Sequence, residues 1–484
     1  MTVRSAASRP GAWTLSDWLV FAGLALAVLA ARAQTFGDPV LGFDEQYYLL
    51  VADRMLHGAV PYIDIWDRKP IGLFLLYAGA ILPGGDPFLN YKLLAAGFVW
   101  ATAAVIYRTA QADAGRTGAV MAALLYVFWL NFMEGEGGQA PVFYNLPVLL
   151  AAALTRCAVA GGQNFVRGCF AMLLIGLAIQ IKYTAVFEGT AFGLILLWAQ
   201  YRADRGASLV LGFAAVWVAC ALAPTAVVFA VYAIMGGTQA FVFANFLSIF
   251  GRLPDPALDR LAGFATIVAI LLPLTIIAVL EWHRTRVLSF WHLWAFAAAL
   301  GMLAVGSFLS PSYAMPLLAP LCLSAAPWFG QAVRGRTVGA ALIALALVGG
   351  ELVVWQVITG KGTREEALRI AVAARPRQGC IWVYDGYPAL YLLTHSCVPT
   401  KWAFPGHLNT SDEATPAAIG VDPITEVRRI LATRPDVIVD NDPAYRLGNR
   451  QTRAVVERAL AAHYRLAARV QTGAGRYRLV YRLR

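Results

Sequence analysis

The feature that most limits this 484-residue chain is a series of eleven apolar runs, at roughly 16–34, 88–107, 117–132, 141–155, 168–181, 183–199, 207–235, 262–280, 288–308, 313–330 and 337–358. Backbone in hydrocarbon must satisfy its N–H and C=O groups within the segment, so such runs are expected to be membrane-spanning helices. A twelfth run, 71–82, is short for a crossing. Loop charge decides how to count it, because Lys and Arg accumulate on the cytoplasmic side. Six arginine pairs flank the runs: Arg4/Arg9, Arg108/Arg116, Arg156/Arg167, Arg202/Arg205, Arg284/Arg286 and Arg334/Arg336. Eleven crossings, with 71–82 along the interface, put all six pairs on the cytoplasmic side. Counting 71–82 as a crossing throws every later pair to the outside. The first run, from Trp18 to Ala33, is too long for the apolar core of a secretory signal and lacks a cleavage site, so it reads as a retained span. Residues 35–87, 132–140, the turn at Lys182, 236–261, the Ser310–Tyr313 turn and the tail are then expected outside the cytoplasm.

From about Thr359 the composition changes. The tail carries 19 basic and 11 acidic residues, supplying +8 of the chain's formal +11. Helical periodicity covers 363–374, 422–433 and 451–463, and strand-like runs appear at CIWVYDG, DVIVDN, YRLAARV and YRLVYRL. These imply a small α/β domain over 359–484, beside a membrane domain over 1–358. Its basic balance suits an anionic neighbour such as lipid head groups or lipopolysaccharide. Cys157, Cys169, Cys220 and Cys322 lie in or beside spans and read as apolar packers. Cys380 and Cys397 are the two tail cysteines, and in an oxidising compartment a disulfide is expected, two buried thiols being the alternative. The sequence has no CxxC, HExxH or HxxxH, so it offers no dedicated metal site.

Against this oily background (59% hydrophobic, 14% charged), residues 42–70, GFDEQYYLLVADRMLHGAVPYIDIWDRKP, hold eight charges. Asp44 and Glu45 open a helix-like stretch that stops at Gly58. Asp44 can be an N-cap, with Glu45 complementing the helix dipole. At the mouth of a membrane bundle, however, acidic groups are costly and usually functional. Trp66-Asp67-Arg68-Lys69-Pro70 precedes the short apolar run, where Pro70 fits a first helical position and Asp67 can cap it. Snorkelling explains Arg68 and Lys69 equally well. The chain has only five lysines, though, and its cytoplasmic pairs are all arginine. Lys69, and Lys182 in QIKYTAVFEG, therefore look selected as compact charges. A pairing of Lys182 with Glu188 is the plain alternative. The loop GEGGQAPVFYNLP adds Glu136 and Gln139 beside glycines that permit close approach.

A positioned carboxylate with several cations, and no nucleotide or metal motif, at an outer membrane face suits sugar transfer from a polyprenyl phosphate. Cations stabilise the departing phosphate, and the carboxylate takes the proton of the attacking hydroxyl. Direct attack inverts the anomeric carbon.

The pattern FDE-x-YY in a first outer loop, followed by PY-x-D-x-WDRKP, resembles the membrane glycosyltransferases of the GT-C class. The likeness is to the protein O-mannosyltransferase and aminoarabinose transferase superfamily, in particular its bacterial branch that modifies lipopolysaccharide, and it covers roughly residues 36–190. The resemblance implies a polytopic α-helical GT-C fold with interfacial helices in the first outer loop, and a bacterial inner membrane location with the active site and tail periplasmic. It makes Asp44 the base and Glu45 its support, places Lys69 on the lipid phosphate, and has Tyr48 shape the pocket. Arg68 and Lys182 are further candidates for the phosphate. Tyr47, Asp67, Gln139, Tyr183 and Tyr313 are candidates for the substrate pocket. Two positions depart from the aminoarabinose enzymes, which have Arg at the place of Tyr47 and an acidic metal-site residue at the place of Arg68. No cofactor is therefore assigned, a divalent metal staying an open alternative. The expected partners are a polyprenyl-phosphate sugar donor, membrane lipids and a lipid, glycan or protein acceptor, with no nucleic acid. A lipid or lipid-linked glycan transporter (a flippase) is the rival reading, but the charges cluster at one face and no inverted repeat is visible.

Overall fold

The structure, a computed structural model, describes residues 14–161, 164–203 and 206–484. Arg4, Arg9 and Arg205 of the charge argument lie outside the described residues. Each of the eleven apolar runs is helical over most of its length, and 71–82 is a short helix, Ile71–Ile81. Among the described residues, six helical stretches are long and apolar enough to cross a membrane: Leu15–Thr35, Pro87–Met133, Ala140–Gly161, Ala207–Ile234, Ala257–Thr285 and Gly335–Ala374. The 47-residue Pro87–Met133 stretch contains two of the runs. They are separated at Gly115, whose φ of 64° and ψ of 179° interrupt the helix with a conformation reserved for glycine.

The chain forms two compact units. The first comprises Met1–Thr35, Lys92–Val228 and Ala257–Val354. Small residues let its helices touch: a Cβ on Gly118 would strike the carbonyl oxygen of Ala326, and one on Gly330 that of Ala114. Its buried cations donate to backbone carbonyls. Arg32 donates to the carbonyls of Gly135, at 2.5 Å, and Gly137, and so pins the glycine-rich loop. Lys92 Nζ donates to Thr35 O at 2.8 Å.

The second unit comprises Phe36–Tyr91, Phe229–Pro256 and Trp355–Arg484. A single cut near residue 358 thus does not describe the packing, because the first outer loop and the 229–256 segment belong with the tail. Irregular backbone must find partners for its polar groups, and here it finds them far away in sequence. Trp66 N donates to Lys401 O (2.8 Å), Leu253 N to Asp412 O (2.9 Å), and the Arg54 guanidinium to Ser396 O (2.6 Å).

All four strand-like runs of the tail are strands: β1 (Ile381–Val383), β2 (Val437–Asp442), β3 (Tyr464–Gly473) and β4 (Arg476–Leu483). They form one sheet in the order β1-β2-β4-β3, with β1 and β2 parallel and the other neighbours antiparallel. The three periodic segments are the helices Arg364–Ala374, Pro423–Ala432 and Arg450–His463. Three short helices, Ala389–Leu393, Pro405–Asn409 and Pro416–Ile419, carry too few turns to leave a periodic signal. Cys380 and Cys397 are joined as a disulfide, their Cα atoms 5.0 Å apart.

Candidate active site

The acidic pair sits on the first turn of the helix Phe43–Leu56, but Asp44 is not its N-cap. Gly42 is, with φ 75°, which makes Asp44 and Glu45 the second and third helical residues. Glu45 folds back toward the cap, and a Cβ at position 42 would collide with its carboxyl group. Glycine is required there twice over, for the backbone angle and for the space. Glu45 is buried (1% exposed) and lies in the electrostatic field of Tyr91. Asp44 is partly exposed, at the end of the helix where the macrodipole favours a negative charge. The second expected cap is also different. Pro70 itself is the N-cap of the helix Ile71–Ile81, and Asp67 Oδ1 instead accepts from the backbone N–H of Arg68 at 2.6 Å.

Tyr48, one turn after Asp44, links the acid to the WDRKP segment. Its hydroxyl donates to Asp44 Oδ2 across a long 3.4 Å, and Lys69 Nζ stands 5.7 Å from its ring centroid. A cation over an aromatic face is attracted by the ring quadrupole. Asp67 is buried, which pushes its carboxyl up to about 6; Lys69 and Arg68 pull it partly back, and Asp44 adds to the rise. Asp44, Asp67 and Lys69 therefore lie within electrostatic reach of one another. The Tyr62 hydroxyl donates to Lys69 O at 2.8 Å and steadies the backbone there.

Two predicted residues face elsewhere. Tyr47 is buried (1% exposed), and its hydroxyl donates to Trp66 O at 2.8 Å. Burial raises its pKa well above the usual value, so it stays a neutral donor behind the loop. Arg68 makes a two-pronged ion pair with Glu413, at 2.5 and 2.7 Å, and donates to Ala418 O at 3.0 Å. A guanidinium so occupied is a tie between chain segments in the first instance. Glu413 also meets Arg252 Nε at 3.1 Å, and Arg252 pairs with Asp412.

His407 is a residue that sequence reasoning missed. It packs edge-on against Trp66, with ring centroids 4.6 Å apart, and contacts Tyr47 and Phe404. Burial, reinforced by Arg68, Arg252 and Lys69, holds its pKa well below the usual value, so the imidazole is neutral. A lone histidine in a tail sequence gives no signal of this placement.

The remaining candidates belong to the first unit. Lys182 precedes a short 3-10 turn, Tyr183–Ala185, and its Nζ lies 4.2 Å from the ring centroid of Tyr313. Tyr313, Thr184 and the buried Glu188 line one recess together with Gly301 and Met302. Tyr183 is partly exposed, and Gln139 ends the glycine-rich loop, its carbonyl accepting from Val142 N at 2.9 Å.

The metal site that the resemblance implies would need an acidic ligand at position 68. Arg68 occupies the position of its acidic ligand and is paired with Glu413. Among the described residues, no three His, Cys, Asp or Glu side chains gather as a ligand set.

No protein-family model and no curated protein matches the chain. Solved structures do. ArnT from Cupriavidus metallidurans, bound to undecaprenyl phosphate, superposes with a TM-score of 0.64 at 13% identity, over 96% of this chain and 98% of that one. The oligosaccharyltransferase AglB from Archaeoglobus fulgidus, in complex with an inhibitory peptide and a dolichol-phosphate, superposes with a TM-score of 0.55 at 13% identity, over 88% and 69%. The same archaeal oligosaccharyltransferase in its apo form gives 0.54 at 11% identity, again over 88% and 69%. The fold of this chain is thus the GT-C fold that these proteins share, with a C-terminal sheet domain.

Proposed function

We propose that the protein is an inverting glycosyltransferase that moves a sugar from a polyprenyl-phosphate donor to a hydroxyl group of an envelope acceptor, at the periplasmic face of a bacterial inner membrane. The observation that carries this reading is the grouping of Asp44, Tyr48 and Lys69: a carboxylate at a helix N-terminus beside an ammonium held over an aromatic ring. The two similar proteins solved with undecaprenyl phosphate and dolichol-phosphate support a lipid phosphate as the donor's anchor.

In this mechanism the acceptor hydroxyl gives its proton to Asp44 as its oxygen attacks the anomeric carbon. The bond from that carbon to the phosphate oxygen breaks, and its electron pair leaves with the polyprenyl phosphate. Lys69 balances the growing phosphate charge, which a desolvated site makes more effective than water would. Glu45, buried behind Asp44, holds the first turn in register through its approach to Gly42. Tyr48 and Asp67 are assigned to the walls of the pocket, and Tyr47 supports them from behind.

The decisive experiment supplies a polyprenyl phosphate carrying radiolabelled sugar to purified protein in envelope-lipid nanodiscs with lipopolysaccharide as acceptor. Label recovered on the acceptor, with free polyprenyl phosphate released, is the expected result. Intact labelled donor that only changes leaflet would instead mark a transporter.

A further inference from the structure

The segment 66–70 has no regular secondary structure, yet it presents Lys69 beside Asp44. Something must hold it. Its backbone is tied at Trp66, whose N–H reaches Lys401 O at 2.8 Å and whose carbonyl accepts from Tyr47, and at Lys69 O, which accepts from Tyr62. Between these ties stands Arg68, its guanidinium 5.1 Å from the Trp66 ring centroid and doubly paired with Glu413. The side chains of Arg68 and Glu413 are 15% and 5% exposed. With Arg252 and Asp412 they make a charge-balanced quartet drawn from three distant segments: 66–70, 248–252 and 411–418. Buried ion networks are weak sources of stability, since the desolvation cost offsets the attraction; their best-attested use is to fix one arrangement among several. A bidentate guanidinium–carboxylate pair suits that task, because it constrains orientation as well as distance.

We infer that Glu413 is a positioning residue for the donor phosphate: acting through Arg68, it sets the 66–70 segment so that Lys69 Nζ stays over the Tyr48 ring next to Asp44. The inference rests on the proposed role of Lys69. Arg68 accordingly serves the phosphate indirectly, and its own charge is neutralised by Glu413 and not by ligand. Glu413→Gln keeps the shape but not the charge, so the paired geometry loosens. Glu413→Asp retains the charge on a shorter arm.

The test measures the affinity of full-length protein in nanodiscs for a non-hydrolysable polyprenyl-phosphate sugar analogue, together with turnover of the labelled donor. Glu413→Gln should weaken analogue binding about tenfold and lower kcat/KM for the donor up to ~10²-fold, the scale of a small misplacement of a contact. The KM for acceptor should stay within twofold. Glu413→Asp should recover part of the loss. Asp440→Asn serves as control, because Asp440 is another buried tail carboxylate, paired with Arg453 outside the quartet. It should alter thermal stability without altering analogue affinity. Folded Glu413→Gln protein that binds the analogue as tightly as wild type overturns the inference, as does equal weakening in the Asp440 control. Wild-type protein that neither binds nor turns over the donor overturns the parent reading instead.

Discussion

Tyr48 offers its hydroxyl to Asp44 Oδ2 from 3.4 Å, too long for a firm hydrogen bond and close enough to become one. The carboxylate is therefore fixed by its helix more than by its neighbour, and it keeps lone pairs for an incoming hydroxyl.

Asp44→Asn preserves size and leaves the Gly42 cap untouched, so the protein should fold normally. Turnover of a labelled donor should fall by ~10²–10⁴, the usual share of a general base. Glu45→Gln should cost less. Gly42→Ala should damage activity although it touches no substrate, because the new Cβ strikes the Glu45 carboxyl and the residue must hold a positive φ. A well-folded Asp44→Asn protein with near-normal turnover would show that another carboxylate is the base.

Lys69→Met should weaken the polyprenyl-phosphate analogue while leaving the acceptor KM nearly unchanged. A snorkelling lysine gives the opposite outcome: slightly reduced stability and an analogue affinity equal to wild type.

Asp67 supplies a pH signature. Its carboxyl, at about 6 in the folded protein, stands above its unfolded value of 3.8 because burial disfavours the charge. The folded state binds the proton more tightly, so this group's contribution is greatest below about pH 4 and is lost as pH rises through 6. The difference is about 2–3 kcal/mol. Asp67→Asn keeps the Oδ1 acceptor for Arg68 N and removes the titration. Melting curves should show the variant gaining on wild type as pH rises from 4 to 7, and a constant gap between the two would sink this assignment.

The Cys380–Cys397 bond closes a loop with a sequence separation of 17, for which chain entropy gives a stabilisation of ~3 kcal/mol. Reduction, or Cys397→Ser, should lower the melting temperature of the tail by several degrees. Non-reducing mass mapping of protein taken from native membranes should recover the two cysteines linked.

Orientation can be read with single cysteines and a membrane-impermeant thiol reagent on intact cells. The exposed positions Ala432 and Val333 suit the purpose. Ala432→Cys should label and Val333→Cys should not. The reverse pattern would invert the topology derived from the arginine pairs.

Much of the architecture was legible because it is local. Eleven apolar runs, four strand-like runs and three amphipathic helices each declare themselves within a dozen or two residues. The Asp44–Lys69 grouping was legible for a different reason, since its members lie on one short polar stretch in an apolar chain. What stayed hidden depends on sequence separation. Nothing near Arg68 announces Glu413, and nothing near Trp66 announces His407 or Lys401, because an ion pair or a ring contact across more than 300 residues leaves no periodic trace. The cap at Gly42 was hidden more subtly. Asp44 is a good capping residue by type, but the Glu45 carboxyl folds back to the space beside Gly42, and a glycine leaves that space empty.

The discontinuity of the second unit sets an order on the birth of the protein. A ribosome delivers Asp44 and Lys69 within the first seventy residues, but Lys401 and Glu413, which tie down the segment between them, emerge only after the intervening helices have been made. During all that time the early loop has only its local ties, from Tyr47 and Tyr62, and waits for its last partners. A nascent chain thus carries Asp44 and Lys69 early and completes their surroundings late, and any stall or premature stop before residue 413 leaves a fragment in which Arg68 has no Glu413 to hold it.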